Sequence, residues 1–270
     1  MRNDRHYVVD TETRISAVLL GRDWRWGQEI RFVRETGDST IATADYTDTD
    51  MEHRKRARDL AEEYSDAGTP TEWFEILYSE GAQKQADIPW ADFEPNPNLL
   101  EWLAGASLSP SGKNALKVGC GLGDDVEALS RRGFEVTGFD VSPTAIEWCQ
   151  DRFPDSRARY VVANLFDAPE EWSRAFDFVL ESYTLQVLPE PERREAIPII
   201  ADFVAPGGTL LVICRGRDAD EPEGDLPWPL TPETVRRFEN HGLELIEFED
   251  YLDDETPPVR RFRVEFERPR

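Results

Sequence analysis

At 270 residues, 39% apolar and with eight tryptophans, the chain has the material for one large α/β domain and a small appendage, which argues against a disordered chain. Its 55 acidic residues outweigh 31 basic ones for a formal net charge of −24, spread along the whole length. Such a surface repels nucleic-acid phosphates and anionic lipid, so neither is expected as a partner.

From Tyr7 to about Tyr46 the pattern is of short strands, at Ile15–Leu20, Glu29–Val33 and Thr40–Ala42, punctuated by Gly21, Gly27 and Gly37. Residues 1–50 thus form a small β appendage, a poorly ordered extension, or an overlong gene start, since Met51 stands just before a good helix. That helix, charged and with Ala57, Leu60, Ala61 and Tyr64 at helical spacing, is predicted over Glu52–Ser65, and a second over Thr71–Tyr78. The prolines of Ile88–Pro97 forbid regular helix or a central strand. Trp90 and Phe93 in that loop either staple it to the core or make it a lid over a ligand.

From Ala115 the chain alternates. Strands are predicted at Ala115–Val118, Phe134–Asp140, Arg159–Ala163 and Phe176–Leu180, with helices at Asp124–Arg132 and Pro143–Phe153. Pro191–Val204 reads as a helix interrupted by Pro198, and Pro206-Gly207-Gly208 as a turn into strand Thr209–Cys214. This alternation implies a parallel sheet covered on both faces. The last strands, Leu243–Phe248 and Val259–Phe266, have no helix between them and should pair antiparallel. In the second, Phe262, Val264 and Phe266 alternate with Arg261, Arg263 and Glu265, the pattern of a half-exposed strand.

Chemistry is concentrated at the ends of these strands. Gly119, Gly121 and Gly123 form a GxGxG turn between the first strand and helix, where backbone can approach a ligand closely. Nicotinamide and flavin dinucleotides prefer GxGxxG. Asp124 and Asp125, which suit the helix dipole, would repel a pyrophosphate at the same amides. A phosphate-free ligand such as S-adenosylmethionine (SAM) fits better. Asp140, some twenty residues on, is placed to accept from both ribose hydroxyls, while Ser142 is the better cap for the following helix. Asn164 and Leu165, after the third strand, can read an adenine edge, and Glu181 to Gln186, after the fourth, lie beside the reacting centre.

In that order these residues resemble the class I SAM-dependent methyltransferases, whose parallel sheet ends in an antiparallel hairpin. From about Trp73 to Arg268 the chain is most similar to the thiopurine/thiol S-methyltransferase-related group. The segments that carry this are Ile88-Pro89-Trp90, Val118 to Asp125, Gly138 to Ile146, Pro206 to Leu211 and Leu226 to Thr231. The resemblance implies a Rossmann-like, seven-stranded, mostly parallel sheet over residues 51–270, with 51–105 as a helical lid. It implies that Gly119, Cys120, Gly121 and Gly123 border the methionine portion of SAM, and that Asp140 and Val141 hold the ribose. Asn164 and Leu165 would flank adenine, and Glu181 would also belong to the cofactor site. Trp90 would close over the site, and Tyr183, Gln186, Arg215 and Trp228 would face the acceptor, expected to be a small thiol or other soft nucleophile. Lys117 departs from the pattern, since the family usually has an acid there, near the methionine ammonium. Asn164 replaces a usual aspartate but can still accept from the adenine amino group. A catalytically silent SAM-binding protein is the alternative that Lys117 suggests.

Cys120, Cys149 and Cys214, like His6, His53 and His241, are too scattered for a disulfide framework or a metal site. No run reaches membrane-spanning length, and Met1-Arg2-Asn3-Asp4 lacks the apolar stretch of a signal peptide. A cytoplasmic location is expected, as a monomer or small homo-oligomer. With lysine only at Lys55, Lys84, Lys113 and Lys117, the acidic surface is that of a salt-adapted protein, hence a halophilic source.

Overall fold

A computed structural model describes residues 6–9, 15–19, 32–34, 48–84, 88–106, 110–255 and 258–270. They divide into two units, Met1–Met51 and Glu52–Arg270. In the first, β1 (His6–Val9), β2 (Ile15–Leu19) and β3 (Phe32–Arg34) pair antiparallel in the order β1-β2-β3. The strand expected at Thr40–Ala42 lies outside the described residues. Helix α1 (Asp48–Asp66) begins before Met51, so that residue sits within the helix rather than ahead of it.

In the second unit α2 (Trp73–Lys84) and α3 (Pro97–Gly105) precede an alternating core. It runs β4 (Asn114–Val118), α4 (Asp124–Arg132), β5 (Glu135–Asp140), α5 (Pro143–Arg152), β6 (Arg159–Val162), β7 (Phe176–Ser182), α6 (Glu190–Phe203) and β8 (Val204–Arg215). Helix α7 (Pro232–Arg236), β9 (Glu244–Leu252) and β10 (Arg260–Glu267) complete it. The sheet order is β6-β5-β4-β7-β8-β10-β9, with β4 to β8 parallel and β10 antiparallel to both its neighbours. This is the mostly parallel seven-stranded sheet expected.

Local chemistry sets the helix starts. Ser142 Oγ accepts from the Ala145 amide at 3.0 Å with Pro143 in the first turn, and Asn96 caps α3 through the Asn98 amide at 2.9 Å, ahead of Pro97. The cap at Asn96 is the sequence signal for α3, a helix not read from the pattern. One face of the sheet packs on α3, α4 and α5, where the Phe178 ring stacks between Trp102 and Phe134 at 5.3 and 5.5 Å. The other face packs on α6 and α7. Helices α1 and α2 form a third cluster that includes Leu122 of the glycine turn and Ala145 of α5.

Three expectations are corrected. Pro198 does not interrupt α6, because Ala196, Ile197, Ile200 and Ala201, buried on the sheet, hold the helix across the one missing amide. Pro206-Gly207-Gly208 is not a turn before β8 but an irregularity inside it. Gly207 has φ 78°, and a Cβ on Gly208 would stand 2.9 Å from the carbonyls of Ala205 and Phe176. The half-exposed reading of the final strand also fails, since β10 lies inside the sheet. Arg261 and Arg263 are 3% and 7% exposed, and each is neutralised by two carboxylates: Asp253 and Glu255 for the first, Glu249 and Glu101 for the second.

Candidate active site

The carboxyl ends of β4, β5, β6 and β7 meet around the glycine turn. Gly119, Gly121 and Gly123 have φ of 56°, 52° and 88°, a left-handed backbone that costs other residues about 1 kcal/mol each. Each also lies under a neighbour. A Cβ at Gly119 would stand 2.6 Å from Thr184 Oγ1, at Gly121 3.2 Å from the Tyr78 hydroxyl, and at Gly123 2.8 Å from the Tyr160 hydroxyl. Cys120 is buried, its amide donating to Phe139 O at 2.8 Å, and the Cys149 thiol donates to Gly121 O at 3.1 Å. Both cysteines pack the turn.

Asp140 ends β5 beneath this turn. Its Oδ2 accepts from the Gly121 amide and its Oδ1 from the Ser142 amide, each at 3.0 Å, with Val141 between the two strand-end residues. Burial raises its pKa, against the pull of those amides and of Lys117. A carboxylate has about four lone-pair sites, so two amides leave room for hydroxyl donors. Ala163 N donates to Asp140 O at 3.0 Å, which sets the end of β6 beside it. There Asn164, exposed, caps its own turn through Phe166 N at 3.0 Å, and Leu165 is buried in the core.

Lys117 does not face solvent. It is 3% exposed, and its Nζ donates to the carbonyls of Val118, Gly119 and Ser182 at 2.8, 3.1 and 3.3 Å. Its charge lowers the pKa of three acids, Asp125, Asp140 and Glu181, each of which desolvation has raised. Glu181 is fully buried. Its Oε1 accepts from Thr184 N and Leu185 N at 2.8 and 2.9 Å, while Oε2 has no partner, and burial pushes its pKa up to about 7.

The acceptor-side candidates follow on β7 and β8. Tyr183 holds a left-handed φ of 62°, donates its amide to Ile213 O at 3.1 Å, and has a phenol that burial pushes up to about 12. Gln186 is buried and bridges two segments, its Oε1 accepting from Arg215 N and its carbonyl from Trp228 N, both at 2.8 Å. Gln186 therefore joins Arg215 and Trp228 to one scaffold. The Trp228 ring lies 5.7 Å from the Arg193 guanidinium.

The Ile88–Pro97 loop is fixed by contacts that spacing did not reveal. The Trp90 indole donates to the Tyr78 hydroxyl at 2.9 Å, and its ring meets Trp73, Phe74 and Tyr78 edge-on. Glu75 of α2 accepts from Ser142 Oγ at 2.6 Å and Thr144 Oγ1 at 2.7 Å. Asn96 donates its amide to Asp125 at 2.8 Å and its side chain to Ser182 Oγ at 3.1 Å. Asp124 is held by Arg152 through two 2.8 Å bonds. The acidic pair at the start of α4 thus anchors neighbouring segments.

Residues 115–208, from β4 to the irregularity in β8, match the methyltransferase domain family. This segment, β4 to the start of β8, is the part of the chain that is similar to a methyltransferase domain. Among curated proteins it is 32% identical over 124 residues to a ubiquinone biosynthesis O-methyltransferase of Xanthomonas axonopodis pv. citri, covering 45% of this chain and 51% of that one. The corresponding Paracidovorax citrulli protein is 31% identical over 152 residues, 53% and 61% of the two chains. The chain therefore spans about half the length of the curated relatives it matches. In fold it is similar to the N-methyltransferase NodS of Bradyrhizobium japonicum, solved with S-adenosylhomocysteine (SAH), at TM-score 0.55 and 22% identity over 72% of this chain and 98% of that one. A structure described under conversion of a disulfide bond into a thioacetal group during echinomycin biosynthesis superposes with TM-score 0.61, at 22% identity over 74% and 93%. Among the described residues no helix is long and apolar enough to cross a membrane.

Proposed function

We propose that the chain binds SAM over the carboxyl ends of β4 to β7 and transfers its methyl group to a small-molecule acceptor. The observation that carries this reading is the cradle itself: three left-handed glycines roofed by Thr184, Tyr78 and Tyr160, with the Asp140 carboxylate at the adjacent strand end. Gly119 to Gly123 border the methionine portion, Asp140 and Val141 take the ribose, and Asn164 and Leu165 flank the base. Lys117 does not disable the pocket in this reading, because three carbonyls engage its ammonium and the neighbouring acids offset its charge.

When bound, SAM supplies a methyl carbon already activated by a sulfonium. What remains for the protein is alignment and exclusion of water, worth an effective molarity on the order of 10⁵ M or more. Tyr183, Gln186 and Arg215 line the acceptor side, and Trp90 and Tyr78 close the other. A thiol acceptor, favoured by the segments Ile88-Pro89-Trp90 and Leu226 to Thr231, reacts as thiolate without a catalytic base. The names of the curated relatives favour a hydroxyl oxygen as the second reading.

The deciding experiment is titration calorimetry with SAM and SAH in molar KCl, on the wild type and on Asp140→Ala, followed by a thiol and phenol panel. Micromolar binding that the substitution abolishes, in a variant with wild-type circular dichroism, is expected. A folded wild type that binds neither compound refutes the reading.

A further inference from the structure

Lys117 joins the ends of two strands. It precedes the last residue of β4 and lies opposite Leu180 of β7 in the parallel register. Its Nζ donates to Val118 O and Gly119 O, where β4 enters the glycine turn, and to Ser182 O, where β7 ends. An ammonium has three donors, and carbonyls take all three. The same ends meet again through Thr184, whose Oγ1 donates to Val118 O at 3.0 Å and would stand 2.6 Å from a Cβ on Gly119. Tyr183, between Ser182 and Thr184, holds its φ of 62° inside this clasp. A third tie crosses from the start of α3: Asn96 donates its amide to Asp125 at 2.8 Å and its side chain to Ser182 Oγ at 3.1 Å.

The Lys117 tie differs from the others in bringing a cation. Its charge acts on Asp125 of α4, Asp140 of β5 and Glu181 of β7, and on the Cys120 thiol; Tyr78 of α2 adjoins the same group through Asp140. Desolvation favours the protonated form of each carboxyl, and Lys117 opposes it in all three. The effect bears most on Asp140. With the Gly121 and Ser142 amides already on its oxygens, the ionised group keeps about two lone-pair sites for hydroxyl donors, and a proton would take one of them.

We propose that Lys117 is a positioning residue for the cofactor: its ammonium clasps the end of β7 to the glycine turn and supplies a positive charge that Asp125, Asp140 and Glu181 share. This rests on the methyl-transfer reading above. Without the ammonium, three carbonyls lose a shared donor and three acids lose a shared cation. The turn then loosens, and Asp140 takes up its proton at a higher pH, so affinity for SAM or SAH falls first on the acid side.

The test titrates SAH by calorimetry into wild type, Lys117→Met, Glu181→Gln and the double variant, from about pH 5.5 to about pH 8.5 in molar KCl. Methionine keeps the apolar stem of lysine and removes its donors and charge. Circular dichroism and urea unfolding at each pH report the fold. K117M is expected to lose about tenfold or more in SAH affinity at neutral pH. The acid limb of its affinity against pH should also move upward by about one pH unit, which a merely structural role would not cause. Because E181Q removes one of the acids that Lys117 offsets, it should restore part of the affinity lost in K117M. A folded K117M that binds SAH within about twofold of wild type, or more tightly, or with its acid limb unmoved, overturns the proposal. If K117M does not fold, K117M/E181Q is compared with E181Q by the same two readouts. Failure of both Lys117 variants to fold also overturns it, since Lys117 then serves the fold as a whole. If wild type binds no SAH, the methyl-transfer reading falls separately, and hydrogen exchange judges the clasp alone. The amides of Gly119 to Gly123 and Ser182 to Leu185 should then exchange faster in K117M, and unchanged exchange overturns the proposal.

Discussion

Replacing Glu181 by glutamine should remove a pH dependence of stability that can be sized from its surroundings. Burial lifts the carboxyl from its ordinary 4.5 to about 7, against the amides of Leu185 and Thr184 and the charge of Lys117. Between those two values the folded chain keeps a proton that the unfolded chain has released, so stability falls as pH rises. The favourable contribution is fully present below 4.5 and gone above about 7. At 1.36 kcal/mol per pH unit, the loss across that interval is about 3 kcal/mol. Glutamine keeps an oxygen for the Thr184 and Leu185 amides but has nothing to titrate. The stability of E181Q relative to wild type should therefore grow by about 3 kcal/mol from pH 4.5 to pH 8, measured by urea unfolding at one KCl concentration. Other titrating groups cancel in the difference. A difference constant to within about 0.5 kcal/mol across that range refutes the reasoning.

Gly119→Ala adds a Cβ 2.6 Å from Thr184 Oγ1 at a φ of 56°, and calorimetry should show SAH affinity reduced about tenfold or more with the fold retained. Arg263→Ala removes the guanidinium that joins Glu249, Glu101 and the Asn98 carbonyl. The cost in urea unfolding should be about 2 kcal/mol, below that of a fully buried pair because both glutamates keep contact with water. If the net charge of −24 reflects salt adaptation, the thermal midpoint should rise from about 0.1 to about 2 M KCl as self-repulsion is screened; a flat or falling midpoint counts against it.

What could be read from the sequence was what is local. The glycine spacing, Asp140 at a strand end and the Ser142-Pro143 helix start each depend on a few neighbouring residues, and each lies where expected. The segment before β4 was legible as helices and a proline loop but not as contacts. Glu75 reaches Ser142 across 67 residues and Asn96 reaches Asp125 across 29, and pairings of that kind leave no periodicity. Strand β10 shows a different limit. Alternation of period two tells which residues share a face, and Phe262, Val264 and Phe266 do share one. It does not tell what covers the other face. Arg261 and Arg263 look like solvent-facing residues until carboxylates from Glu101, Glu249, Asp253 and Glu255 are brought over them.

Lys117 misleads for a related reason, since a residue type at a strand end does not reveal where its terminal atom goes. Four methylenes let the ammonium turn under the sheet edge and bond three carbonyls. There its one charge is set against three acids, the half-buried Asp125 and the buried Asp140 and Glu181, so the ends of β4, β5 and β7 hold more acid than base.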